Sequence, residues 1–237
     1  MNPLSAIYGG VAGARNAFYD RHWLRSRSLQ GAVISVGNIS TGGSGKTPFV
    51  IMLGEQLKAR AINFDVLSRG YGRKTRGVLL VDPGGLPRDF GDEPLLIARR
   101  LQVPVVVGED RYQAGRYAEA RFGAQIHLLD DGFQHRALAR DFDIVLVTPE
   151  DARDHLLPAG RLREPLRALR RADAVVLASG ASPEAFPLGG KTVWRVRRGI
   201  VAQNVPPRPV VFCGIARPQN FLLQLRAAGI DPVAEAF

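Results

Sequence analysis

Between Val36 and Val50 the chain reads VGNISTGGSGKTPFV, a glycine-rich turn that ends in Gly45-Lys46-Thr47. A turn of this kind between a buried strand and a helix points successive backbone amides inward, where they bind phosphate oxygens together with the positive helix end. The usual pattern asks for a glycine at the position held here by Ser40. Close backbone approach matters more than that one glycine, and Gly42, Gly43 and Gly45 supply it. Ser40, Thr41, Gly42, Gly43, Ser44, Gly45, Lys46 and Thr47 are therefore the candidate nucleotide-binding residues. Lys46 would reach the terminal phosphates, and the Thr47 hydroxyl would coordinate Mg²⁺. The competing reading is a glycine turn that merely precedes a lysine. A strand before it and a helix after it weigh against that.

A metal-bound triphosphate also needs an acid at the end of another strand. IHLLDDGFQH, residues 126–135, supplies two, Asp130 and Asp131, at the edge where ligands of open α/β sheets collect. Either could hold Mg²⁺ or its water. Gln134 follows as a candidate for positioning nucleotide or metal water, and His135 is the histidine nearest this chemistry. His22, His127 and His155 read as structural or surface residues.

These groups must be carried by a scaffold, and the chain shows one. AVISVGN, FDVLSRG, VPVVVGE, IHLLDDG, FDIVLVTP, ADAVVLAS and PVVFCGI are short apolar runs separated by helical stretches. Strands continuous in Val, Ile and Leu suit a parallel sheet covered on both faces, so a doubly wound α/β fold is expected. A helix should begin near Thr47-Pro48, where proline gives up an amide that has no partner. KTVWRVRRGIVAQNV, residues 191–205, reads as an extended ribbon outside the parallel sheet, and PPRP at 206–209 marks a boundary.

With 237 residues the chain can build one main α/β core. Its formal charge of +10 favours an anionic partner: nucleic acid, an acidic membrane surface or a phosphorylated substrate. Cys213 is the only cysteine, which excludes an intramolecular disulfide framework and a cysteine-rich zinc site. No apolar run is long enough for a spanning helix. At the amino terminus, Leu4, Ile7, Tyr8, Val11, Phe18 and Trp23 can share one helical face, with Arg15, Arg21, Arg25 and Arg27 alongside. Two readings stand for this segment, a helix packed on the domain or one lying on anionic lipid, and Gly9, Gly10 and Gly13 weaken the helix in both.

VGNISTGGSGKTP, SRGYGR, GDEP, LDDGFQH, LPAGRLREPL and CGIARPQNF occur in the order seen in the tetraacyldisaccharide 4′-kinases, or lipid A 4′-kinases, and the chain resembles that family along most of its length. The resemblance implies a P-loop NTPase-like, mostly parallel doubly wound sheet with an amino-terminal amphipathic helix and an incomplete second lobe. The expected division is 1–30 for the helix, 31–190 for the kinase core, 191–209 for the ribbon and 210–237 for the start of the second lobe. It implies transfer of the γ-phosphoryl group of ATP, with Mg²⁺, to the 4′-hydroxyl of a tetraacyldisaccharide 1-phosphate. The implied setting is peripheral, on the anionic cytoplasmic face of the bacterial inner membrane.

By the same resemblance Asp92 of GDEP is the acid that takes the sugar hydroxyl's proton, with Glu93 assisting. Taken alone, Asp92 would read as a turn acid ahead of Pro94. Arg111, and Arg163 with Glu164, fall where the family stabilises or orients the transferring charge, alongside Lys46. SRGYGR, residues 68–73, is either a loop that holds acceptor or nucleotide or an exposed basic turn. Family members continue past CGIARPQNF into a lobe with an Asp-His-His motif, whose histidine pairs with the acid matching Asp92, whereas this sequence stops at Phe237. The expectation from that difference is retained ATP binding with weak or no transfer.

Two other functions compete. A P-loop ATPase acting as a nucleotide switch would use the same loop and need no lipid acceptor; the Thr-Lys-x-Asp signal of an ordinary GTPase is absent. A basic nucleic-acid-binding module follows from charge alone, and no helix-turn-helix, zinc finger or aromatic single-strand signature supports a specific nucleic-acid partner.

Overall fold

The computed structural model describes residues 2–197, 199–200, 204–213 and 218–236. The apolar runs form strands β1 (Ala32–Asn38), β2 (Phe64–Ser68), β4 (Val105–Val107), β5 (Ile126–Asp130), β6 (Phe142–Val147) and β7 (Ala174–Leu177). With the short β3 (Leu79–Leu80) and β8 (Thr192–Arg195) they make one sheet in the order β3-β4-β2-β5-β1-β6-β7-β8. All neighbours are parallel except β3 against β4. Parallel order requires crossovers, and α2 (Lys46–Ala59), α4 (Asp92–Leu101) and α5 (Arg111–Phe122) provide them, with the single turn α3 (Pro87–Phe90) ahead of α4.

Helices cover both faces, which is why the strands are apolar throughout and not alternating. On one face Val36, Val66 and Leu128 pack with Phe49, Val50 and Leu57 of α2 and with Leu95 and Leu101 of α4. On the other, Val33, Leu67, Val106 and Leu129 pack with Ala114 and Ala118 of α5. A fully buried Val or Leu stabilises by about 1.5–3 kcal/mol, so these two layers supply the main driving force for the sheet. β1 lies between β5 and β6, and its carboxyl end delivers the glycine loop to the same edge as the acids of β5.

Two sequence expectations need correction. Residues 198 and 201–203 of the expected ribbon lie outside the described residues, and within the rest Thr192–Arg195 does not stand outside the sheet but pairs in parallel with Ala174–Leu177 as the edge strand. Its four residues are exposed, so the polar alternation reflects an edge position and not a separate element. PVVFCGI, conversely, leaves the main sheet. Its strand β9 (Val210–Phe212) pairs with β10 (Ala234–Ala236) in a two-stranded sheet under α6 (Pro218–Ala227), with Val211, Leu222 and Leu225 as a small core of their own. Residues 214–217 of CGIARPQNF lie outside the described residues.

The amino-terminal helix α1 (Pro3–Asp20) is capped by the Asn2 side chain and buries none of its residues fully. Ser5, Tyr8 and Asn16 turn towards the body: the Ser5 hydroxyl donates to Leu156 O at 2.9 Å and the Tyr8 hydroxyl to Arg163 O at 3.1 Å. Gly9 also lies on this face, where a Cβ would stand 2.7 Å from Leu156 Cδ1. Leu4, Ile7, Val11 and Phe18 face outward, with Trp23 beyond the helix end, each at least 41% exposed.

Candidate nucleotide and phosphoryl-transfer site

The glycine loop turns where its glycines are. Gly42 (φ +100°) and Gly45 (φ +90°) adopt the left-handed region that favours glycine, and a Cβ on Gly42 or Gly43 would meet no atom within 4 Å, so the cradle is open. Ser40 needs no such freedom. It forms an antiparallel bridge with Leu162, while Thr41 N donates to Arg161 O at 2.8 Å and Arg163 N to Ile39 O at 2.7 Å. The loop is thus stitched to residues 161–163, and serine fits where the common pattern has glycine. Below the loop, Asn38 Nδ2 donates to Ser44 Oγ at 2.9 Å. Lys46 and Thr47 open α2, both buried at its amino end, where the helix dipole adds to the lysine charge.

Lys46 Nζ lies 3.4 Å from Asp131 Oδ1. Arg163 Nη1 lies 2.9 and 3.1 Å from the two Asp131 oxygens and 3.4 Å from Gln134 Oε1. Gln134 in turn donates from Nε2 to Asn38 O at 2.9 Å, so the segment that follows β5 is fastened to the end of β1. Gly37 permits this crossing: a Cβ there would be 2.6 Å from Phe133 Cβ and 2.9 Å from Phe133 N. Burial pushes the Asp131 carboxyl up, but Lys46 and Arg163 outweigh it and hold the group below the usual range. It is a fixed anion that holds two cations at the mouth of the loop.

Asp130 behaves oppositely. Burial pushes it up to about 7, the charges of Glu93 and Asp131 add to the rise, and Lys46 and the Ser68 hydroxyl oppose it. Ser68 Oγ donates to Asp130 Oδ2 at 3.2 Å, whereas Asp130 Oδ1 is buried with no hydrogen bond. An orphaned carboxylate oxygen beside a phosphate loop fits a cation or its water. Among the described residues no cluster of three or more His, Cys, Asp or Glu could hold a metal unaided. A nucleotide-bound Mg²⁺ needs only one or two protein carboxylates, with phosphates and waters supplying the rest, so Asp130 and Thr47 fit that ion.

Asp92 and Glu93 open α4 as exposed acids in its first turn, a position the helix dipole favours. Glu93 is felt electrostatically at Asp130, so the amino end of α4 lies within reach of the acid pair's charge. Arg111 opens α5 behind an Asp110 cap and is buried, donating from Nη1 to Glu109 O at 2.9 Å. Burial and the neighbouring Arg69 charge lower it to about 10, while Asp131, Asp110 and Asp130 counter that, so it remains a cation within electrostatic reach of the acid pair.

Glu164 is not brought to this group. Its buried carboxylate accepts from Arg171 Nη1 at 2.8 Å, Arg171 Nη2 at 3.1 Å and Asn16 Nδ2 at 2.7 Å, a structural role that ties α1 to the core. His127 is likewise structural, fully buried with Nδ1 2.8 Å from Asp65 Oδ1. His135 sits near Arg111; burial and that charge lower it to about 4. Sequence reasoning missed α1 as a support of the site: besides Tyr8 on Arg163 O, Arg15 Nη1 donates to Gln134 O at 3.0 Å. Contacts between residues 119 or 155 positions apart leave no local signal. Ser68 could have been found, since it starts SRGYGR at the end of a buried strand.

A parallel α/β sheet whose first strand runs into this loop, with a carboxylate pair on the adjacent strand and converging cations, defines a P-loop nucleotide-binding protein. The chain belongs to the tetraacyldisaccharide-1-P 4′-kinase family (LpxK), whose model matches residues 1–237. It is 53% identical over 247 residues to the tetraacyldisaccharide 4′-kinase of Koribacter versatilis (strain Ellin345), covering 99% of this chain and 76% of that one. It is 38% identical over 265 residues to the enzyme of the same name from Chlorobaculum tepidum, covering 100% and 75%. The crystal structure of the "apo" form of LpxK from Aquifex aeolicus, in complex with ATP, superposes with a TM-score of 0.85 at 38% identity, covering 99% of this chain and 80% of that one.

Proposed function

We propose that the chain transfers the γ-phosphoryl group of ATP to the 4′-hydroxyl of a tetraacyldisaccharide 1-phosphate. Family membership gives the reaction, and the observation that carries it onto this chain is the convergence of Lys46 and Arg163 on Asp131 at the mouth of an open phosphate loop, with the Arg111 cation in electrostatic reach. Phosphoryl transfer asks little covalent work of a protein and much fixed positive charge around the moving oxygens.

The loop amides and Lys46 hold the β- and γ-phosphates, releasing Lys46 from Asp131 as the phosphate takes over its charge. Thr47 and Asp130 would hold Mg²⁺, which would supply further positive charge to the phosphates. Asp92 accepts the proton of the 4′-hydroxyl as its oxygen bonds to the γ-phosphorus and the bond to the ADP oxygen breaks. Arg111 and Arg163 face the equatorial oxygens, and Glu93 orients the acid or its water. Asp131 and Gln134 keep Arg163 extended towards the loop.

The acceptor is an amphiphile, and the chain is built to meet one. Its outward stripe of Leu4, Ile7, Val11, Phe18 and Trp23 is accompanied in sequence by Arg21 and Arg25, and the net charge is +10. Among the described residues no helix is long and apolar enough to cross a membrane. The chain works as a peripheral protein on the anionic cytoplasmic face of the inner membrane, with α1 lying in the headgroup layer beside the site.

The test is label transfer. γ-Labelled ATP, Mg²⁺ and detergent-dispersed tetraacyldisaccharide 1-phosphate should give a labelled lipid, and Asp92→Asn should reduce its formation by about 10²–10⁴-fold, the usual weight of a general base. Phosphate release without labelled lipid would favour the nucleotide-switch reading instead.

A further inference from the structure

The loop at residues 69–77 touches both halves of the transfer site without carrying any group assigned to the chemistry. Gly70 (φ +71°) and Gly72 (φ +79°) fold it into a turn with Tyr71 at its tip, 84% exposed. The turn lies directly against the segment that precedes Asp92. A Cβ on Gly91 (φ +92°) would be 2.8 Å from Tyr71 O and 3.2 Å from Gly70 C, and one on Gly70 would be 3.0 Å from Phe90 O. The two backbones therefore fix each other's height just before the proposed base.

Arg73 closes the loop on its other side. Its side chain is only 2% exposed, and Nη2 donates to Glu109 Oε1 at 2.7 Å and to Gly77 O at 2.6 Å. Gly77 N reaches the second Glu109 oxygen at 3.1 Å, so both carboxylate oxygens are engaged by this loop. The carbonyl of the same Glu109 is the acceptor for Arg111 Nη1. Arg73 also packs on the turn, because a Cβ on Gly70 would be 2.6 Å from Arg73 Cδ. Nε and Nη1 of Arg73 are buried without partners. The guanidinium and the Glu109 carboxylate thus join two segments of the site.

We infer that Arg73 and Glu109 are positioning residues for phosphoryl transfer: their ion pair clasps the 69–77 turn to the amino end of α5, and so sets Arg111 through the Glu109 carbonyl and Asp92 through Gly91. The inference rests on the kinase reading above. Neither residue is assigned a contact with nucleotide or acceptor in the reaction proposed above. The clasp accordingly acts on the transfer step and leaves ground-state ATP binding, which the glycine loop and Lys46 govern, in place.

The experiment measures kcat and the KM for ATP for the unaltered chain, Arg73→Ala, Arg73→Lys, Glu109→Gln and the exchanged pair Arg73→Glu with Glu109→Arg. It is run alongside denaturant unfolding and the side-chain ¹H–¹⁵N signal of Arg111 Nε. Arg73→Ala should lower kcat at least tenfold with KM for ATP within twofold. Arg73→Lys, which keeps the charge but not the fork, should recover part of that loss. The Arg111 signal should move or broaden in Arg73→Ala and Glu109→Gln. Unchanged kcat with an unmoved Arg111 signal would overturn the inference, as would losses that follow unfolding alone. If the unaltered chain transfers no phosphoryl group, that outcome bears on the kinase reading alone, and the Arg111 signal decides whether the clasp positions that guanidinium.

Discussion

Asp130 and Asp131 are adjacent in sequence and opposite in behaviour, because one points into the protein against Ser68 and the other out between Lys46 and Arg163. Asp131 has φ +51°, the left-handed region uncommon for a residue other than glycine, and this turn separates the two carboxylates. Their separation divides the labour between a structural anion and a candidate metal ligand. The sequence left the two equivalent, since nothing in LDDG says which side chain the turn sends inward.

His135 carries a pH consequence of the same crowding. Its ordinary value of 6.5 falls to about 4 in the fold, through burial and the Arg111 charge. The unfolded chain therefore binds more protons between those values, and its contribution to stability is complete above about pH 6.5 and is lost as pH falls towards 4. Urea midpoints of the unaltered chain should drop over that window more steeply than those of His135→Gln. Parallel curves would show that His135 is free to charge in the folded state.

The elements were legible where the signal is local. β1, α2 and β5 follow from apolar runs and from one glycine-rich turn, and the candidate phosphate and acid residues sit at their ends. Edge strands were not: β3 has two residues, and β8 is exposed along its length, so neither carries the apolar run that marks a covered strand. Glu164 shows the complementary limit. It follows Arg163 in the chain, yet Arg171 captures it, and which of two neighbouring charges faces the site depends on a partner seven residues on. Gly37 gives a test of how tightly the elements are fitted. Gly37→Ala would press on the backbone of Phe133, which cannot swing aside as a side-chain tip could. A loss of roughly 1–3 kcal/mol is expected from overpacking of this kind. Unfolding midpoints should fall accordingly; an unchanged midpoint would mean that the β1–β5 crossing has slack.

At the scale of the whole molecule, the proposed membrane contact rests on the exposed amino-terminal stripe and the net charge of +10. Binding to vesicles should therefore combine charge and apolar contact. Anionic vesicles should retain the chain at low salt and lose part of it as ionic strength rises, since exposed charges are screened beyond about 10 Å at 0.1 M salt. Replacing Leu4, Ile7 and Val11 together with serine should weaken retention at least tenfold, because those side chains are already exposed and contribute little to the fold. Equal retention of that variant would move the membrane contact elsewhere.

All of this depends on the loop from Ser40 to Thr47 gripping a triphosphate despite the serine at its first position. Equilibrium binding of a non-hydrolysable ATP analogue with Mg²⁺, measured for the unaltered chain and for Lys46→Ala, decides it. Saturable binding by the unaltered chain, weakened tenfold or more by Lys46→Ala, is the expected result. Binding of equal strength in both, or in neither, would contradict a phosphate-holding loop at this edge of the sheet.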